Sequence, residues 1–76
     1  MALFYFNLRG ERFEAPDLTG RMCADEAAAR AEAERLAAEL VESAIIAGEL
    51  PPRLTIEVDD EEMRPIVALP LNDAGG

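Results

Sequence analysis

The sequence predicts an α+β fold: two β-hairpins flanking one long helix, in the order ββαββ, closing as a four-stranded, mainly antiparallel sheet with the helix packed on one face. Three observations carry this reading. The chain opens on an aromatic-rich run, residues 26–47 are an unbroken stretch of helix formers, and residues 53–59 alternate apolar and polar side chains. At 76 residues there is room for one domain, placed at residues 1–71, with residues 72–76 expected to form a flexible tail.

Leu3-Phe4-Tyr5-Phe6-Asn7-Leu8 reads as the first strand, with Phe4, Phe6 and Leu8 on its core face and Leu3, Tyr5 and Asn7 on the other. Arg9-Gly10-Glu11-Arg12 reads as a turn, with Gly10 free to take a positive φ. Residues 12–15 form a short return strand with Phe13 inward, ended by Pro16, and Asp17-Leu18-Thr19-Gly20 makes the next turn.

Asp25 is a good N-cap, and Glu26 places negative charge at the positive end of the helix dipole. Gly48 is the natural stop, and Pro51-Pro52 prevent continuation. At helical spacing Ala29, Ala33, Leu36, Ala37, Leu40, Val41, Ala44 and Ala47 share one arc, opposite Glu32, Arg35, Glu39 and Glu42. Ile45 falls at the edge of that arc and Ile46 on the polar side.

In residues 53–59, Leu54, Ile56 and Val58 point in while Arg53, Thr55 and Glu57 point out. Asp59-Asp60-Glu61-Glu62 is an acidic turn. Residues 63–71 form the last strand, where Pro65 and Pro70 disfavour a central position. Such a sheet leaves its second face bare. Leu3 and Tyr5 would lie there with one side of the last strand, either Val67 and Leu69 or Ile66 and Ala68, and an open apolar face needs a cover in a protein this small.

Composition removes several functions. Seven Arg and no Lys stand against sixteen acids, for a net charge of −9. Nucleic acid is therefore not an expected partner, since phosphate binding needs a basic stripe. Without His, the commonest general base and the commonest metal ligand are both missing. A single Cys makes no internal disulfide and no thiolate zinc site, and fits a reducing cytoplasm. No stretch approaches the ~20 apolar residues of a membrane span, and no targeting segment is expected.

Phe4-Tyr5-Phe6-Asn7-Leu8-Arg9-Gly10, the turn from Asp17 to Gly20, and Asp25-Glu26-Ala27-Ala28-Ala29-Arg30-Ala31-Glu32-Ala33 resemble a family of small bacterial proteins known only as a domain of unknown function. Its members begin with a Tyr/Phe-rich strand ending in Leu-Arg, continue through an acidic turn and an Asp-capped helix, and finish on a segment like Val67-Ala68-Leu69-Pro70-Leu71-Asn72-Asp73-Ala74. The resemblance covers nearly the whole chain. Many relatives have His at the position of Asn7 and a Gly in the acidic turn, where this chain has Glu61-Glu62. The resemblance implies the fold and assigns no activity.

Few side chains suggest chemistry. The acidic turn at residues 59–62 offers carboxylates to a hard cation, but without the ligand spacing of a calcium loop it reads as a solvated turn. Cys23 precedes a helix N-terminus, where a thiol can be activated, but Asp25 and Glu26 oppose that and the chain has no His base. Gly75-Gly76 is similar to the end of ubiquitin-like and sulfur-carrier β-grasp proteins, whose terminal carboxylate is activated.

The leading expectation is a cytoplasmic, non-enzymatic interaction module that docks a protein partner or a second copy of itself, as a homodimer. Leu3, Tyr5, Ile46, Val67 and Leu69 are its candidate surface. No catalytic, cofactor-binding or metal-binding residue is assigned, and neither a cofactor nor a membrane partner is expected. The alternative is a β-grasp-type carrier using Gly75 and Gly76. A small enzyme is the remotest reading, because no nucleophile–base pair can be assembled.

Overall fold

Aromatic and branched side chains hold the opening residues extended, and they run as one long strand, β1 (Ala2–Gly10). It is followed by β2 (Glu14–Ala15), β3 (Arg21–Cys23), the helix α1 (Glu26–Ile46), β4 (Leu54–Asp59) and β5 (Pro65–Pro70). This computed structural model describes residues 1–50 and 53–71. The expected flexible tail at residues 72–76, with Gly75 and Gly76, lies outside the described residues.

Among the described residues the strands form one sheet of five rather than the four expected, in the order β2-β1-β4-β5, with β3 also paired to β1. Every one of these pairings is antiparallel. The added strand is β3. It shares with β2 the same flank of β1: Leu8 faces Ala15 and Phe4 faces Arg21. β5 is an edge strand with Pro65 and Pro70 at its two ends. That agrees with proline's inability to donate to a ladder.

The first turn departs from expectation in its physics. Gly10 N–H donates to the Phe13 carbonyl at 2.9 Å. A methyl group on Gly10 would fall 2.3 Å from Phe13 Cε1. Gly10 is therefore needed for room beneath the Phe13 ring, and among the described residues the glycines with positive φ are Gly20 and Gly48. Phe13 does not point inward. Because β2 begins only at Glu14, the ring lies outside the strand and is 47% exposed.

The helix is bounded as the sequence predicts. The Asp25 carboxylate accepts the Ala28 N–H at 2.8 Å, satisfying one of the free donors of the first turn. At the other end Gly48 takes φ +73°. Gly48 N–H donates to the Ile45 carbonyl and Glu49 N–H to the Ala44 carbonyl, a Schellman closure that only a left-handed residue permits cheaply.

Ala29, Ala33 and Ala37 are fully buried, four residues apart, against β3, β4 and β5. With only a methyl group at each contact, α1 lies close to the sheet. Beneath it sit Phe4 and Phe6 of β1, Leu54, Ile56 and Val58 of β4, Val67 of β5, and Leu71. Burying a branched side chain such as Ile56 or Val58 stabilises by about 1.5–3 kcal/mol.

The register settles which side of β5 faces the helix. Val58 pairs with Val67 and Ile56 with Leu69, so Val67 and Leu69 lie on the helix side. Val67 is buried and Leu69 is half-buried against the core. Their expected place on the open face is thus corrected. An irregularity between Val58 and Asp59 leaves Ile66 unpaired, and Ala68, opposite Glu57, faces away from the helix.

The close approach of α1 predicts an asymmetry between two alanines. Ala33→Leu should overpack the helix–sheet contact and cost about 1–3 kcal/mol in urea unfolding. Ala38→Leu, on the exposed side of the same helix, should stay within about 0.5 kcal/mol of wild type.

Candidate functional site on the open sheet face

β1 is longer than any strand beside it, and that shapes the open face. Between the pairs Leu8–Ala15 and Phe4–Arg21, five residues (16–20) lie opposite three (5–7), so the chain bulges away from β1. Backbone donors in such a gap need other partners. Asp17 supplies one: its Oδ2 accepts the Phe6 N–H at 3.1 Å. Its Oδ1 accepts the N–H groups of Thr19 and Gly20, both at 3.0 Å, closing the loop on itself.

Glu61 plays the same part on the other flank. β4 ends at Asp59, opposite Tyr5, and the Leu3 N–H beyond it donates to Glu61 Oε1 at 2.8 Å. The turn carrying Glu61 is organised by Asp60. Asp60 Oδ1 accepts from the Glu62 and Arg64 backbone at 2.9 Å each, and Oδ2 accepts from Arg64 Nε at 3.1 Å. Met63 completes the turn at φ 64°, a conformation costly for a side chain with a Cβ. The acidic stretch is therefore a hairpin turn whose Asp60 and Glu61 carboxylates are used inside the fold. Among the described residues no group of three His, Cys, Asp or Glu is placed to hold a metal ion.

Asn7 ties the two flanks together across β1. Its Oδ1 accepts the Asp17 N–H at 2.8 Å, and its Nδ2 donates to Asp59 Oδ2 at 3.1 Å. The roles of amide oxygen and nitrogen are fixed by these partners, since a backbone N–H only donates and a carboxylate only accepts. A neutral imidazole has the same one donor and one acceptor. Beside Asn7, Arg9 reaches Glu57 at 3.2 Å and Glu14 at 3.5 Å.

The face thus has two halves. One is a polar row of Arg9, Glu14, Glu57, Asn7 and Asp59. The other gathers Tyr5, Leu18 and Met63 around a cavity of about 340 Å³ shared with Asn7, Asp17 and Asp59. Met22 lies alongside, opposite Leu3. Leu18, Met22 and Met63 are all exposed.

Residues 3–72 match the profile of a domain of unknown function, DUF6894. The chain belongs to this family. Searches of curated proteins and of solved structures return no significant match. No described helix of this DUF6894 domain is long and apolar enough to cross a membrane.

The DUF6894 fold does not bring the five expected surface residues together. Leu3 and Tyr5 share the open face, both half-buried. Gly20 presses on Leu3, so a Cβ there would fall 2.9 Å from Leu3 Cδ1. Val67 and Leu69 lie on the opposite side of the sheet. Ile46 is 79% exposed at the end of α1, beside Ile45, which is also exposed. Leu18, Met22 and Met63 enter the surface unexpectedly, as do the polar groups Asp17 and Asp59, while Asn7 lies on the side of β1 where the sequence put it, with Leu3 and Tyr5. Cys23 of β3 is buried, paired with Ala2 of β1.

On the helix side, Arg21 of β3 sits 5.8 Å from the centre of the Phe6 ring and pairs with Glu32 of α1. Glu32 also pairs with Arg35, which pairs with Glu39. Hydrogen bonding from Arg35, helped by the charges of Arg35 and Arg21, lowers the Glu32 carboxyl from its ordinary value against the opposing effect of partial burial.

For Asp17, partial burial opposes ionisation. The backbone donors of Gly20, Phe6 and Thr19, with the charge of Arg21, outweigh it and hold the carboxyl below its usual value. A depressed native value means that Asp17 stabilises the fold above the pKa of the unfolded chain, and that this contribution fades as pH falls through the native pKa. Asp17→Asn should therefore cost about 1–3 kcal/mol at neutral pH, measured by urea unfolding. The gap from wild type should narrow steadily below the ordinary aspartate pKa of about 3.9. A gap unchanged down to acid pH would exclude the carboxylate as the source.

Proposed function

We propose that this protein is a non-enzymatic interaction module that docks a protein partner, or a second copy of itself, through the open face of its sheet. The observation that carries this reading is the cavity where Tyr5, Leu18 and Met63 stand beside the fixed polar groups of Asn7, Asp17 and Asp59. Leu18 is 89% and Met63 60% exposed, on a face covered by no other described element. Large apolar side chains grouped on an open surface favour a contact. Met63 supports it further, because its left-handed backbone is a local strain of the kind that gathers at working surfaces.

The polar groups suit recognition better than catalysis. The Asp17 carboxylate is fixed by three backbone donors and holds its charge. A rigid, charged acceptor serves as a docking point and is poor at exchanging protons near neutral pH. The carrier reading rests on Gly75 and Gly76, outside the described residues, and no described feature adds to it.

A photo-crosslinking residue at position 18, in the protein expressed in its source cells, tests the proposal. A discrete protein adduct should form from position 18 and not from position 34, on the exposed side of α1. Adducts from position 34 alone, or none from either position, would overturn the docking role of this face.

A further inference from the structure

We propose that the open face takes a basic amphipathic segment of its partner, one that presents Arg or Lys beside an apolar side chain. This rests on the reading of that face as a docking surface and specifies the chemistry of the occupant.

Charge complementarity carries the proposal. Four acids line the cavity, Glu14, Asp17, Glu57 and Asp59, against Arg9 alone, which gives −4 + 1 = −3. The neighbouring turn adds Asp60, Glu61 and Glu62 against Arg64, or −3 + 1 = −2. Together these two adjoining segments hold −5 of the chain's −9. Between the acids stand the apolar atoms of Tyr5, Leu18 and Met63. Methionine adapts its shape to varied apolar partners, and an aromatic ring adds attraction for a guanidinium. A carboxylate takes a guanidinium through two parallel hydrogen bonds, so Arg fits better than Lys.

The same charges disfavour a second copy. A two-fold contact sets a patch against itself, so the −5 surface would meet another −5 surface. The Arg residues at its margins are already engaged: Arg9 pairs with Glu14 and Glu57, and Arg64 with Asp60 and Glu62. A basic segment from another chain meets no such repulsion, and its approach is steered by the field.

The test is an NMR titration of the full chain with a short peptide of alternating Arg and Leu, with its Glu and Leu counterpart, and with the protein diluted alone. The Arg–Leu peptide should shift the amides of Tyr5, Asn7, Leu18 and Met63, with little response to the acidic peptide. Joint replacement Glu57→Gln and Asp59→Asn should weaken binding about tenfold, the effect of two exposed ion pairs. Leu18→Ser, outside the hydrogen-bond network and so without consequence for folding, should weaken it as well. Equal shifts from the acidic peptide would overturn the charge-selected occupant while leaving the face a docking surface. So would shifts that appear only with increasing protein concentration, which would name a second copy. Shifts centred on the outer side of α1, or none at this face from any probe, would overturn both this inference and the docking reading.

Discussion

A strand in the middle of a sheet must find partners for backbone groups on both sides, and β1 is longer than its neighbours can serve. Two carboxylates fill the shortfall. Asp17 receives the Phe6 N–H where the β2–β3 chain bulges away, and Glu61 receives the Leu3 N–H where β4 has ended. Both acids reach in from turns, so the turns are held against the strand they complete. Much of the remaining architecture follows: Asn7 links the first loop to β4, Asp60 folds the second turn, and the two turns stand on either side of one exposed face.

That arrangement gives the two sides of the sheet different characters. The helix side carries the apolar core, because three alanines let α1 approach a floor of Phe, Ile and Val. The open side is held by polar bonds and carries its apolar atoms at one end, around Tyr5, Leu18 and Met63. Among the described residues one helix, α1, covers one face. The other face reaches water through charged side chains, and its remaining apolar atoms are what a partner would cover.

The sequence was most informative where a local signal reports local structure. Asp25 and Gly48 mark the helix ends because capping is decided within a turn. Leu54, Ile56 and Val58 declare their face because alternation is strict there. The phase of β5 was not readable, since Ile66, Val67, Ala68 and Leu69 are all apolar, and the irregularity beside Asp59 sets it. β3 has three residues, too few for a period to show. Asp17 looked like a turn residue and is one, but its bond to Phe6 spans eleven positions and leaves no pattern in the sequence. The open face was therefore expected to be apolar through Val67 and Leu69, whereas its character comes from pairings between distant segments.

The DUF6894 family assignment fixes what the chain is related to, and the hydrogen-bond network explains how so short a chain holds a long central strand. Amide hydrogen exchange at Phe6 addresses that network directly. If the Asp17 carboxylate completes the ladder, the Phe6 amide is protected in the wild-type protein to about the degree of Phe4 and Leu8. Asp17→Ala then speeds exchange at Phe6, Thr19 and Gly20 well beyond the change at the β4 amides. Free exchange at Phe6 in the wild type, or a uniform rise across the sheet in the variant, would contradict the account.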